Sequence, residues 1–535
     1  MVKKNCEVWR KMGLLGPDSD PANQLRSIFI IMKSSTWALT IFLVGIFTPG
    51  FAQNLAGAFS SIAAGNDMMG GSLVVFCKNG VLENLAIGKS DFARNIQATT
   101  ETKYRIASIS KVVTAIATLQ LAEQNLLDLD ADIGSILGYP VRNPHKPTVA
   151  ITVRMLLSHT STIVDGPTYD TFLSATVQNN PIPNLSEILT PAGQYYTTEQ
   201  FNNNLPGIYF NYANINYVIL GTIIEKASNM RFDAYCKQHI TTPLGIDASF
   251  NVQDLSDLNQ LAVLYRKTNG IWTPQIDNYQ GNPPIYSNLS GYIPGTNGGR
   301  FGPQGGFRCS AADLARIMIV LMNDGVINNQ SVLLSSASCS AMLASEWTYN
   351  GQNGNNYFGL FRSWGLGMHR VTSSPNFDVV LPGSEAMYGH AGEAYGLVSD
   401  AYFDPSRSLG LVFVNNGVGT GYQTNSSSAF YTIEQEVFNA MEAHGNLSAC
   451  AASVAVQSSE SDEHFYFPNP VVGHLEISGI QADTGHTVQI HSMEGKLLKT
   501  VHLGKGTTTV DVQDLPSGAY LLVAEGKTYR FVVMN

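Results

Sequence analysis

Directly after Ser108 the chain becomes amphipathic: Val112, Val113, Ile116, Ala117, Leu119 and Leu121 place apolar groups mostly three and four residues apart. That spacing predicts an α-helix entered from the loop 101–107. A second, mostly apolar run over 217–227 predicts another helix, reached through the turn-forming segment 206–214. Towards the C-terminus the pattern changes to short strand-like runs at 475–477, 488–491, 496–501, 508–512, 520–523 and 529–533. Turn signals such as Pro516-Ser517-Gly518 separate them, so residues 465–535 are expected to fold as a small β-sandwich behind a polar linker, 449–464. Near the N-terminus Lys33 precedes an apolar core over 37–47 and the small-residue site before Gln53, the pattern of a secretory signal over 32–52 cut after Ala52. Eleven mostly apolar residues are too few for a stable transmembrane anchor. Residues 1–31 form no recognisable element and are read as a spurious extension from an upstream start codon.

The predicted helix after residue 107 carries the chain's candidate nucleophile. Ser108 and Lys111 are three residues apart, so on a helix the amine stands one turn from the hydroxyl and on the same face. Serine is also a common N-cap and lysine a common surface residue, so the pair needs corroboration. It comes from Tyr212 and Asn214, on the turn before the second helix, and from His390, bracketed by Gly389 and Gly392. A second Tyr-x-Asn, Tyr286-Ser287-Asn288, lies in the Pro/Gly/Asn-rich stretch 269–306 with no apolar helix after it, so Tyr212 is preferred.

In this order, Ser108-x-x-Lys111, Tyr212-x-Asn214 and His390-x-Gly392 resemble the three motifs of the serine β-lactamase-related family, which includes class C β-lactamases, D-alanyl-D-alanine carboxypeptidases and esterases. Further matching segments include Met155-Leu156-Leu157-Ser158-His159-Thr160-Ser161, Gly305-Gly306-Phe307-Arg308 and Trp364-Gly365-Leu366-Gly367. The resemblance implies an α/β (α+β) β-lactamase/transpeptidase-like domain over 53–448. Its antiparallel sheet would be entered at 72–77 and rejoined at 397–403 and 409–415, beside a mostly helical part over about 117–337, with the active site at their junction. It implies acyl transfer through Ser108, with Lys111 and Tyr212 moving protons and Asn214 orienting Lys111 and substrate. The backbone N–H groups of Ser108 and Glu393 would hold the oxyanion. No cofactor or metal is called for. The tail, opening on Pro468-Asn469-Pro470, resembles the C-terminal sorting domain of type IX secretion substrates. That implies the type IX machinery as partner and a secreted or outer-surface location in a Gram-negative, Bacteroidota-type envelope, after Sec export. A carbohydrate-binding or adhesive sandwich is the alternative for the tail.

Three departures from the family pattern matter. His390 stands where lactamases usually carry lysine, and Ala391 where a hydroxyl residue is usual, so recognition of a substrate carboxylate should be weak. An ester, a neutral amide or a D-amino-acid peptide of peptidoglycan type is therefore expected before a β-lactam. Thr162 replaces the usual glycine after Ser161 and should alter only a turn. The alternatives are a true β-lactamase and a non-catalytic cell-envelope protein that holds peptidoglycan or a penicillin. Removing residues 1–52 leaves 25 basic and 38 acidic residues, a balance that argues against nucleic acid and acidic membranes as partners. Five cysteines would then remain, Cys77, Cys236, Cys309, Cys339 and Cys450, without metal-site spacing and allowing at most two disulfides.

Overall fold

The computed structural model describes residues 54–535 apart from 287–288, 328–329, 385, 446–472, 477–485, 493–495, 504–508, 517, 525–526 and 534–535. The expected signal 32–52, the extension 1–31 and the linker 449–464 lie outside the described residues, as do Pro468-Asn469-Pro470 and Cys450. In chain order the elements that build the main domain are α1 (Leu55–Gly65), β1 (Gly70–Cys77), β2 (Gly80–Asp91), β3 (Ile96–Gln97), α2 (Ser110–Glu123), α3 (Ile215–Ser228), α4 (Ala311–Met322), β4 (Trp347–Thr348), β5 (Ser363–Trp364), β6 (His369–Val371), β7 (Met387–Ala394), β8 (Leu397–Asp404), β9 (Leu409–Asn415) and α5 (Thr432–His444). The nine strands form one antiparallel sheet in the order β4-β5-β6-β7-β8-β9-β1-β2-β3.

Both faces of the central strands are covered, which is why β1 reads as an unbroken apolar run instead of alternating with polar residues. Leu73, Val75 and Cys77 pack with Phe59 of α1 and Val437 and Met441 of α5. Val74 and Phe76 point the other way, into the large cluster that holds Ile116 of α2, Ile223 of α3 and Met318 of α4. The helical part joins this second face, as expected, but it also contains a hairpin, Leu264–Thr268 with Ile271–Ile276. The stretch 269–306 therefore begins within a hairpin. Buried Asp277 at its start accepts from Arg105 Nε at 3.2 Å and Arg308 Nη2 at 2.8 Å, while Tyr292 Oη and Gly295 N donate to Glu225 at 2.7 and 2.8 Å.

All six C-terminal runs are strands. β10 (His474–Glu476) pairs with β13 (Thr509–Asp511), and β12 (Leu497–Leu503), β11 (His486–Ser492), β14 (Gly518–Ala524) and β15 (Lys527–Val533) form a sheet in that order, antiparallel throughout. Leu475, Val488, Ile490, Val510, Leu522 and Phe531 make a separate small core. Cys77, Cys236, Cys309 and Cys339 are buried free thiols.

Candidate active site

Ser108 does not open α2 as the periodicity suggested. It sits in a single 3-10 turn, Ala107–Ile109, and the α-helix begins at Ser110. The turn includes Ala107, whose φ of 46° lies in the left-handed region that alanine disfavours. Ile106 N donates to Phe307 O at 3.1 Å and Phe307 N to Ser110 Oγ at 3.0 Å, so the 303–307 strip holds both ends of the turn.

Lys111 is wholly buried, with Nζ 3.1 Å from Ser108 Oγ, 2.9 Å from Asn214 Oδ1 and 2.7 Å from the carbonyl oxygen of Gln304. The Tyr212 and Tyr217 rings lie 4.9 and 5.5 Å from the same nitrogen. Burial lowers the Lys111 pKa to about 7, opposed by the charge of Asp165. Near neutral pH the amine is thus shared between its acid and base forms.

Tyr212 and Asn214 are held from two sides. Asn211 N donates to the carbonyl oxygen of His159 at 2.9 Å, and Ala213 N donates to His159 Nδ1 at 3.2 Å. His159 stacks on Tyr212 with ring centroids 4.3 Å apart, and Phe210, Trp347, Phe361 and Trp364 complete an aromatic cage. Since Nδ1 accepts, the His159 proton belongs on Nε2, and burial beside Lys111 keeps the ring neutral. Asp165 accepts from Asn214 N at 3.0 Å, Asn214 Nδ2 at 2.9 Å and Ile215 N at 2.9 Å, capping α3 and fixing the Asn214 amide so that its oxygen meets Lys111. Desolvation of the carboxyl group among these partners pushes its pKa up, opposed by the hydrogen bonds from Asn214 and Ile215 and by the charge of Lys111. Tyr212 Oη makes no well-formed hydrogen bond; burial pushes its pKa well up, and Ser108 lies near enough to oppose that push.

His390 lies on β7, 1% exposed, with Nδ1 donating to the carbonyl oxygen of Ala391 at 2.5 Å. Burial, reinforced by Lys111, lowers its pKa well below the usual histidine range, so the ring is neutral. Its Nε2 is buried without a partner, and its ring lies 5.3 Å from Trp364 and 6.0 Å from Tyr212. Gly392 is where β7 touches the Ser108 turn: a Cβ there would lie 2.6 Å from Ile106 O and 2.4 Å from Ser399 Oγ. That Oγ donates to Ile106 O at 3.2 Å and Gly392 O at 3.3 Å. The Glu393 carboxylate accepts from Tyr431 Oη, so only its backbone is left for the oxyanion role expected of it.

The fold thus brings Ser108, Lys111, Tyr212, Asn214, His390 and Gly392 together. Tyr286 is not part of that group; it lies 4.7 Å beneath the Arg300 guanidinium. Thr162 keeps its turn at φ 69°, a strained value for a β-branched residue, steadied by Asn143 Nδ2 donating to its Oγ1 at 2.9 Å. Sequence reasoning assigned no role to Asp165, His159, Ser399 or Gln304. His159 stood inside a quoted segment and Asp165 just beyond it, but their partners lie some 50 residues further along the chain.

A family model described as Beta-lactamase matches residues 55–427, and one described as Secretion system C-terminal sorting domain matches 466–533. Penicillin-binding protein 4 of Amycolatopsis lactamdurans is 24% identical over 375 residues, covering 69% of this chain and 86% of that protein. Among solved structures, EstCE1, a hydrolase with promiscuous acyltransferase activity, aligns with a TM-score of 0.53 at 18% identity over 73% of this chain and 99% of its own. The D-amino acid amidase of Ochrobactrum anthropi SV3 does so with 0.53 at 18% over 73% and 98%. At that identity these two likenesses concern the fold. Among the described residues no group of side chains has the make-up of a metal site, and no helix is long and apolar enough to cross a membrane.

Proposed function

The chain belongs to the β-lactamase family, and we propose that within it the protein is an exported serine hydrolase that cleaves an ester or a D-amino-acid amide or peptide through an acyl-enzyme on Ser108. The observation that carries this reading is the buried Lys111 amine, 3.1 Å from Ser108 Oγ, with a pKa brought down to about 7. In its neutral form Lys111 takes the Ser108 proton as Oγ attacks the substrate carbonyl carbon. The negative charge that develops on the carbonyl oxygen is held by the backbone N–H groups of Ser108 and Glu393. Tyr212 gives its phenolic proton to the leaving group as the scissile bond breaks, regains a proton from Lys111, and then helps water attack the acyl-enzyme. Asn214, clamped by Asp165, keeps Lys111 aimed at Ser108.

His390 supports the choice of substrate. Buried and neutral, it supplies no positive charge for a carboxylate, and Asp165 adds negative charge near Lys111. EstCE1, a hydrolase with promiscuous acyltransferase activity, and the D-amino acid amidase share the fold and agree with this class of substrate. The tail is a type IX sorting domain, which sends the protein to the cell surface or the medium; Sec export by a signal over 32–52 in a Bacteroidota-type envelope completes the proposed route.

The test is hydrolysis of a p-nitrophenyl ester, a D-alanyl-D-alanine peptide and nitrocefin by the wild type and Ser108→Ala. The expected result is turnover of the ester or peptide, lost in Ser108→Ala, with an acyl adduct on Ser108 by intact mass. Nitrocefin as best substrate would overturn the reading of His390. No turnover and no adduct on all three would leave the non-catalytic binding protein as the better account.

A further inference from the structure

Two exposed aromatic residues on turns next to the site stand in a backbone conformation that their side chains disfavour. Phe358 is 73% exposed with φ 60°, and Tyr395 is 41% exposed with φ 56°. Each precedes a glycine that admits no side chain: a Cβ on Gly359 would meet Phe377 Cδ1 at 2.1 Å, and one on Gly396 would meet the Tyr265 carbonyl oxygen at 2.1 Å. The glycines pin both turns, and the residue before each would be least strained as glycine or asparagine. Two aromatic rings held outwards against that preference are strain of the kind that accumulates at ligand-contacting positions.

Their neighbours place both turns beside the site. Tyr357, itself at φ 50°, donates through Oη to the Tyr212 carbonyl oxygen at 2.8 Å, and its ring lies 6.0 Å from that of Tyr212. Tyr395 follows Gly392 by three residues on the turn from β7 to β8, with Arg105, three residues before Ser108, 5.9 Å from its ring centroid. Buried Tyr169 has a hydroxyl without a partner, and burial, then Asp165, with Tyr395 and Tyr212 among the smaller causes, push its pKa up.

We propose that Phe358 and Tyr395 form the two rims of a slot that takes an aromatic or similarly bulky apolar acyl group of the substrate cleaved at Ser108. This rests on the hydrolase reading above and names the substrate class more narrowly. The test compares p-nitrophenyl acetate with p-nitrophenyl phenylacetate, which share a leaving group and differ only in the acyl part. Phe358→Gly and Tyr395→Gly should each lower kcat/KM about ten-fold on the phenylacetate and stay within about two-fold on the acetate. Phe358→Leu should recover part of the loss. Glycine also eases both backbones, so the melting temperature should hold or rise. Equal losses on both esters, or none, would overturn the proposal. If the hydrolase reading itself fails, no ester is turned over in a Ser108-dependent way, and saturation-transfer NMR with phenylacetamide against acetamide then decides. Contact with phenylacetamide alone, lost in both glycine variants, supports the slot; no contact refutes it.

Discussion

Replacing Gly392 by alanine inserts a methyl group between β7 and the turn that presents Ser108. The new Cβ would stand 2.6 Å from the Ile106 carbonyl oxygen and 2.4 Å from Ser399 Oγ. Merely to reach 3.0 Å, the strand and the turn must part by about 0.4 Å at Ile106 and about 0.6 Å at Ser399. Ser399 cannot swing away freely, because its hydroxyl bonds both Ile106 O and Gly392 O. The shift falls on the gap between Ser108 and the backbone of Glu393, where the oxyanion is proposed to sit. A loss of about 10²-fold in kcat/KM is expected, equivalent to about 3 kcal/mol of transition-state stabilisation, with overpacking costing about 1–3 kcal/mol of fold stability. Pre-steady-state acylation with a p-nitrophenyl ester would read the first, and thermal unfolding the second. Adding Ser399→Ala removes the 2.4 Å contact but leaves the one to Ile106, so recovery should be partial. Acylation at the wild-type rate in a folded Gly392→Ala protein would refute the assignment of β7 as the oxyanion strand.

Three other outcomes follow from the same geometry. Because burial lowers the Lys111 pKa to about 7 and the base form is needed, kcat/KM should climb with pH through about 7 and then level; Asp165→Asn, by removing the charge that favours protonated Lys111, should move the midpoint lower. Asp400 on β8 and Glu434 on α5 are buried together, and burial raises Asp400 to about 8, so the native state holds a proton that the unfolded chain has released. Stability should therefore fall as pH rises from about 4 through 8, by at most about 1.4 kcal/mol per pH unit for that proton, and urea unfolding of Asp400→Asn should show a flatter dependence. Asp277→Ala strands Arg105 and Arg308 without the carboxylate that both contact, and should cost about 3–5 kcal/mol in the same assay.

The local periodicities were reliable guides: α3, the C-terminal strands and the order of the motifs follow from spacings within a few residues, where side-chain direction is set by the backbone repeat. The start of α2 was misplaced by two residues because Ala107 takes a left-handed value under contacts from β7 and residues 303–307, which no local pattern records. Residues 269–306 are Pro/Gly/Asn-rich, a composition that predicts no helix there. Their anchorage through Asp277 and Glu225 depends on partners far away along the chain.

What the sequence determined by itself was the pairing of Ser108 with Lys111, the choice of Tyr212 over Tyr286, and the sorting tail, since each rests on residue type and short spacing. Tertiary structure alone decided the surroundings of those residues. Only packing of the helical part against the sheet buries Lys111 and brings its pKa near 7. Only the approach of β7 to the Ile106–Ala107 segment leaves no room for a side chain at Gly392, and only the meeting of His159 and Asp165 with the Tyr212 turn fixes that turn and the Asn214 amide. The physical reason is that desolvation and close contact belong to assembled surfaces, whereas a periodic pattern reports only which side of one element will be buried.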